Sequence, residues 1–141
     1  MQSTLLIVED HLIFRQSLRE MIESQFPSVG IKEASNGDEA WRYLQNGKLD
    51  LIFMDIKLPG RNGLELTKSI KATNSEVDIV ILTSYDIPEY REAAIRSGAS
   101  HFFVKGNARR DEIINVVRSA LEQKERERCS PKASNGDAEA M

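Results

Sequence analysis

Asp55 closes the apolar run Leu51-Ile52-Phe53-Met54 and opens the turn Ile56-Lys57-Leu58-Pro59-Gly60-Arg61-Asn62-Gly63. Glu9 and Asp10 close an earlier apolar run, Leu5-Leu6-Ile7-Val8. Two later runs end on groups of another kind: Thr83-Ser84 follows residues 79–82, and Lys105 follows His101–Val104. Strands that finish on carboxylates direct negative charge at one rim of a sheet, and such a rim suits a hard cation. Three carboxylates crowded there repel by roughly 4 kcal/mol per pair at ~4 Å under an effective dielectric of about 20, a cost that a divalent ion relieves. Magnesium takes hard oxygens, often one or two carboxylates completed by water and phosphate oxygens. Asp10 and Asp55 offer carboxylates, and a loop carbonyl just after Asp55 offers a further oxygen. With its charge screened, Asp55 becomes an acceptor for an anionic phosphoryl group. The acquired charge of about −1.5 to −2 and three acceptor oxygens would suit the hydroxyls of Thr83-Ser84 and the ammonium of Lys105.

These groups need a scaffold that brings five strand ends together. Residues 4–8, 51–54 and 79–82 are nearly continuous apolar runs, the mark of strands covered on both faces. Residues 29–34 mix in polar side chains, as an edge strand does, and 101–104 form a fifth short run. Helical periodicity fills the intervals. Phe14, Leu18, Met21 and Ile22 share one face, and Asn36 with Glu39 predicts a capped start for a second helix that Gly47 ends. Asn62 with Glu65 predicts a third cap, ahead of Leu64, Leu66 and Ile70. Asp86, Pro88 and Glu89 predict the opening of a fourth helix that Gly98 ends. Ile113, Val117, Ala120 and Leu121 form the inward stripe of a fifth.

Such alternation predicts an α/β fold: a doubly wound five-stranded parallel sheet in the order 2-1-3-4-5, flanked by five helices, flavodoxin-like. Ligands of such folds bind outside the carboxyl ends of the strands, at the switch between strands 1 and 3. Glu9-Asp10 and Asp55 stand at those two ends.

A chain of 141 residues has room for one domain, expected here over 1–124. The apolar stripe stops after Leu121; the polar run 122–128 either prolongs the last helix through alternating charge or frays. Residues 125–141 are expected to form a polar, disordered C-terminal tail, the composition of 130–141 being small and polar with Pro and Gly. A net charge of −3 argues against this chain gripping a nucleic-acid backbone, which requires clustered Lys and Arg. No apolar run approaches the ~18 residues of a membrane span, and a single cysteine, Cys129, rules out an internal disulfide. A cytoplasmic protein is the expectation.

In four stretches the chain resembles the receiver domains of bacterial two-component response regulators, over roughly residues 3–124. These are Leu5-Leu6-Ile7-Val8-Glu9-Asp10, the 54–63 stretch around Asp55, Ile81-Leu82-Thr83-Ser84, and Gly98-Ala99-Ser100-His101-Phe102-Phe103-Val104-Lys105. The resemblance implies that Asp55 accepts a phosphoryl group from the phosphohistidine of a histidine kinase or phosphotransfer protein, as in a phosphorelay. It implies Mg2+ held by Asp10 and Asp55, by Glu9 through water, and by the backbone carbonyl of Lys57. Thr83 and Lys105 would take the phosphoryl oxygens. Thr83 would shift toward them and Phe102 rotate inward, altering a face built from the fourth helix, fifth strand and fifth helix. A downstream protein partner, and a homodimer on activation, belong to the same implication. Lys57 and Tyr85 fall at positions that govern water access in such domains. One departure is Gly106 after the lysine, where many relatives carry proline.

Only about twenty residues follow Leu121, so a stand-alone response regulator acting by protein contact is expected. The receiver portion of a larger DNA-binding transcriptional regulator is the alternative. An enzyme reading, as a phosphatase with a general-acid Asp two residues after the nucleophile, fails on Lys57, which occupies that position. A flavin carrier fails on Glu9-Asp10, which would repel the flavin phosphate. The expectation is a phosphoacceptor switch whose only chemistry is phosphoryl transfer and hydrolysis at its own residue. His11 reads as a solvated or helix-start histidine, His101 as surface, Phe103 and Trp41 as packing, and Arg109-Arg110 and 122–128 as solvated charge.

Overall fold

The five runs read as strands become five parallel strands in a computed structural model that describes residues 3–129. They are β1 (Thr4–Val8), β2 (Gly30–Ala34), β3 (Leu51–Met54), β4 (Asp78–Thr83) and β5 (His101–Val104), in the order β2-β1-β3-β4-β5. Between and after them run α1 (Leu12–Gln25), α2 (Gly37–Asn46), α3 (Gly63–Thr73), α4 (Pro88–Ser97) and α5 (Arg110–Cys129). The order agrees with the reading above, with the mixed-polarity strand β2 at one edge and the short β5 at the other.

Strand periodicity sorts the core into two layers. Leu6, Val8, Ile52, Met54, Ile79 and Ile81 face one way, with Leu66 and Ile70 of α3 and Ala40 of α2. Leu5, Ile7, Leu51, Phe53, Val80 and Leu82 face the other way, with Leu18 and Ile22 of α1 and Ile113 and Val117 of α5. The pairing that matters for the site is Val8 with Met54. It sets the next residues of each strand, Glu9 and Asp55, at the same rim.

Helix starts follow the predicted caps in two cases of three. Asn36 Oδ1 accepts from the Glu39 amide at 2.9 Å, while the Glu39 carboxylate accepts from the Ser35 amide at 2.7 Å. Asn62 Oδ1 caps α3 by accepting from Leu64 rather than from Glu65. Asp86 does not cap α4: Ile87 holds that position without a side-chain bond, and Pro88 begins the helix. Gly98 ends α4 at φ 106, a conformation that disfavours side-chain-bearing residues.

α5 is prolonged by the polar run, one of the two courses expected of it, so 125–129 are helix and not disordered tail. It continues past residue 124, where the patterning set the end of the domain, through Cys129; residues 130–141, read as disordered, lie outside the described residues. The run 122–128 is not simply solvated charge, because two of its cations are anchored on the sheet. Arg128 donates to Asp50 Oδ1 at 3.0 Å and to Ser3 Oγ at 2.6 Å. The Lys124 ammonium donates to the carbonyl of Glu76. Asp50 is buried and also accepts from the Thr4 amide at 2.9 Å, so α5 is tied to the rim opposite Asp55.

Because Asp50 would keep a buried charge with one donor fewer, Arg128→Ala should lower stability by about 2 kcal/mol. The exposed Arg126→Ala should change it by less than about 0.5 kcal/mol. Urea unfolding of the two variants checks this; equal midpoints would show that the Asp50 anchor contributes nothing.

Candidate functional site

Four strand ends deliver the site. Glu9 follows β1 and is 3 % exposed, Asp55 follows β3 and is 4 % exposed, and Thr83 closes β4 wholly buried. Lys105 follows β5, its amide donating to the Thr83 carbonyl at 2.7 Å. Its ammonium reaches across the sheet to Glu9 Oε1 at 2.5 Å and Asp55 Oδ2 at 3.3 Å, and it lies 4.5 Å from the Phe14 ring centre. Asp10 is the more open acid of the group. Glu9, Asp10, His11 and Asp55 each present one ligand atom within 4.8 Å of the others.

Backbone contacts fix the two buried carboxylates. Asp55 Oδ1 accepts from the Ile56 amide at 2.8 Å, and the Asp55 amide donates to the Val8 carbonyl at 3.1 Å. Glu9 Oε2 accepts from the His11 amide at 2.9 Å, and Arg15 donates to the Glu9 carbonyl at 2.6 Å. Gly63 has a packing role that its place in a turn motif only hinted at. A Cβ there would lie 1.9 Å from the Asp55 carbonyl oxygen, so the turn closes against Asp55 only without a side chain. The Gly63 amide donates to the Ile56 carbonyl at 2.7 Å, and Thr67 donates to the Gly63 carbonyl at 2.8 Å.

The electrostatics are unbalanced. Burial first, and the Glu9 charge second, push the Asp55 carboxyl above its ordinary range, with Lys105 only partly opposing them. Burial also acts to raise Glu9, but the hydrogen bond from Lys105, the His11 amide and the Lys105 charge outweigh it and hold Glu9 below its usual value. One ammonium therefore bridges two carboxylates while Asp10 adds a third. The surplus of two negative charges, presented on hard oxygens, fits a divalent cation such as Mg2+: Glu9, Asp10 and Asp55 are the residues that would hold it.

The remaining predicted residues are placed by contacts of their own. The Lys57 ammonium lies over the rings of Tyr85 at 5.4 Å and Tyr90 at 5.8 Å, and the two rings meet edge to face. Tyr90 lay unnoticed in the sequence, hidden inside a helical pattern. The Tyr85 amide approaches Thr83 Oγ1 at 3.5 Å. Phe102 pairs with Ile81 and joins the layer beneath α4, where the Arg91 guanidinium stacks on it at 4.6 Å. Phe103 joins the opposite layer, packed as expected, and His101 is exposed. Trp41 packs against the core as expected, with Arg61 at 6.0 Å from its ring centre. His11 is at the helix start and largely solvated, as read from the sequence, but its Nδ1 points back at Glu9. Among the described residues there is no cis peptide bond, so Lys105–Gly106 is trans.

A doubly wound sheet with acids at the ends of β1 and β3 and a lysine after β5 is the arrangement of a signalling receiver. The chain belongs to the response regulator receiver domain family, whose sequence model matches residues 5–118. It is 30% identical over 114 residues to the response regulator UvrY of Escherichia coli, a match covering 81% of this chain and 52% of that protein. It is 34% identical over 105 residues to the chemotaxis protein CheY of Halobacterium salinarum, covering 74% of this chain and 86% of that one. A solved two-component response regulator of the LuxR family from Aurantimonas superposes with a TM-score of 0.77 at 27% identity, covering 87% of each chain. The chain spans about half the length of the first of these curated relatives.

Two measurements test the geometry. Gly63→Ala should displace the Asp55 carbonyl and cost about 1–3 kcal/mol in unfolding free energy, whereas an unchanged urea midpoint would mean that the turn is not held against Asp55. Because Asp55 is raised on folding, its ionised form costs stability above its unfolded value, and the cost is relieved as falling pH protonates it. Metal-free Asp55→Asn should therefore unfold at higher urea than the native protein near neutral pH, with the gap closing in acid. A gap that widens on acidification would refute this.

Proposed function

We infer that this receiver domain is a phosphorylation-controlled switch. Asp55 accepts a phosphoryl group from the phosphohistidine of a histidine kinase or phosphotransfer protein, with Mg2+ held by Glu9, Asp10, Asp55 and the Lys57 carbonyl. The observation that supports it most is the buried Glu9–Lys105–Asp55 bridge beside Asp10. Oδ1 accepts from the Ile56 amide at 2.8 Å and Oδ2 from the Lys105 ammonium at the longer 3.3 Å; on this reading Oδ2, the less tightly held, is the attacking oxygen. It bonds to phosphorus as the donor's P–N bond breaks; the donor imidazole keeps the electron pair and takes a proton from solvent. Bound Mg2+ supplies charge neutralisation for the transferring oxygens.

Lys105 follows the charge from Oδ2 onto the phosphoryl oxygens, and Thr83 donates its hydroxyl to another. Thr83 and Ile81 lie on the same face of β4, and Phe102 is paired with Ile81. A shift of Thr83 toward Asp55 thus opens space on the side where Phe102 sits, and the α4, β5 and α5 face changes shape. Driving such an equilibrium from 1:99 to 99:1 takes about 5.5 kcal/mol of differential stabilisation, which the new bonds to Thr83, Lys105 and the cation supply. The Lys57, Tyr85 and Tyr90 cluster flanks the pocket and sets water access, hence the phosphoryl lifetime.

Output runs through protein contact at that face, to a downstream partner or a second copy of the domain, in the cytoplasm. No helix among the described residues is long and apolar enough to cross a membrane. The second reading, a receiver portion of a larger DNA-binding regulator, draws on the half-length coverage of the curated relative. Either way the switch chemistry is the same.

Intact-protein mass spectrometry with a small-molecule phosphodonor should show one added phosphoryl group that requires Mg2+, maps to Asp55 and is absent in Asp55→Asn. Lys105→Ala should still label in part yet lose the change at the α4–β5–α5 face, read by amide hydrogen exchange. Undiminished labelling of Asp55→Asn would overturn the assignment.

A further inference from the structure

His11 takes no part in the chemistry proposed above, yet its ring is turned into the acidic cluster. Nδ1 lies 3.0 Å from Glu9 Oε2 and 3.5 Å from Asp10 Oδ1. The backbone enforces this: His11 is the extended residue before α1, and its amide donates to the same Glu9 oxygen at 2.9 Å. Amide and ring thus converge on one carboxylate, while the rest of the side chain is open, 72% exposed. Adjacent donors around an octahedral cation with bonds of ~2.1 Å stand about 3.0 Å apart, which matches the spacing of Nδ1 and Oε2. The four ligand atoms, within 4.8 Å of one another, are three carboxylate oxygens and one imidazole nitrogen.

That donor set differs in kind from an all-oxygen site. Carboxylate and water suit magnesium and manganese, whereas imidazole favours cobalt, nickel, copper and zinc along the Irving–Williams order. We propose that His11 Nδ1 is a ligand in the cation site, giving this receiver a preference for borderline divalent ions over Mg2+. The inference rests on the reading of the acidic cluster as a cation site. A cell's supply of such ions would then compete for the phosphorylation site, with His11 setting the balance.

The competing role for His11 is to orient Glu9 by hydrogen bonding, and two variants separate the two. His11→Gln keeps an N–H for Glu9 without an imidazole, and His11→Ala removes both. Calorimetric titrations of the native protein and both variants with Mg2+, and separately with Co2+, measure the ratio of affinities. Both variants should lose Co2+ affinity about tenfold or more, equivalent to about 1.4 kcal/mol, with a smaller change for Mg2+. Pulsed electron paramagnetic resonance with Cu2+ as probe should show nitrogen coupling from a bound imidazole, reduced in both variants. The other histidine, His101, is exposed and remains in all three proteins, so it contributes a common background.

Co2+ affinity equal in all three proteins, recovery of it by His11→Gln, or parallel losses for both ions would overturn the role of His11. If Mg2+ binds and supports labelling of Asp55 while the ratio is indifferent to His11, only this inference falls. If neither ion binds the native protein, the cation site itself is refuted.

Discussion

A single ammonium between two buried carboxylates is the contact on which the rest of the molecule depends. Lys105 reaches Glu9 at 2.5 Å and Asp55 at 3.3 Å, and the three groups come from strands that are not neighbours in sequence. Parallel register is what brings them together: β1 pairs with β3, β3 with β4, and β4 with β5. Every strand therefore ends at the same rim. A hairpin-built sheet would alternate the ends and scatter these charges. The apolar layers supply the stability that lets such a rim exist, since carboxylates with 3–4 % exposure lack the solvation that would otherwise quiet their repulsion.

That rim was largely legible in the sequence, for a physical reason. Buried parallel strands are continuous apolar runs, so a polar or charged residue at the end of one stands out, and four run ends carried Glu9, Asp55, Thr83 and Lys105. What stayed hidden were contacts between residues far apart in sequence. Arg128 and Asp50 are separated by 78 positions, and no local pattern marks a cation in a polar run as one that will be anchored. The absence of a cap at Asp86 was hidden for a related reason. Asp, Pro and Glu there satisfy the composition of a helix start, but Ile87 takes the position with extended backbone. The ring of His11 was illegible because its direction depends on where Glu9 is placed by β1.

Strand alternation also separates two jobs on β5. Phe102 and Phe103 are adjacent, so their rings enter opposite layers: Phe102 beneath α4, Phe103 against α1 and α5. On the switch reading, only the first is placed to respond to Thr83. Its ring is not free to do so without consequence, because the Arg91 guanidinium stacks on it at 4.6 Å. Such a contact contributes about 0.5–1 kcal/mol at an exposed site, small beside the several kcal/mol of a full population shift. The stack can bias the resting state without locking it.

The two rims of the sheet are treated in opposite ways. At the rim away from Asp55, the buried carboxylate of Asp50 meets Arg128, Ser3 and the Thr4 amide; Ser3 and Asp50 bracket the starts of β1 and β3. There each charge has a fixed counterpart, and the end of α5 is held against the sheet. At the functional rim, acids outnumber the cation that contacts them, and burial together with the Glu9 charge disfavours the ionised form of Asp55. A fully compensated site would be more stable, yet it would gain nothing from binding a cation. Differential stabilisation requires an interaction still to be made, and the surplus charge around Asp55 is that deficit. With the sheet's far end and the end of α5 tied together, a change at Thr83 and Lys105, on the switch reading, leaves that rim in place.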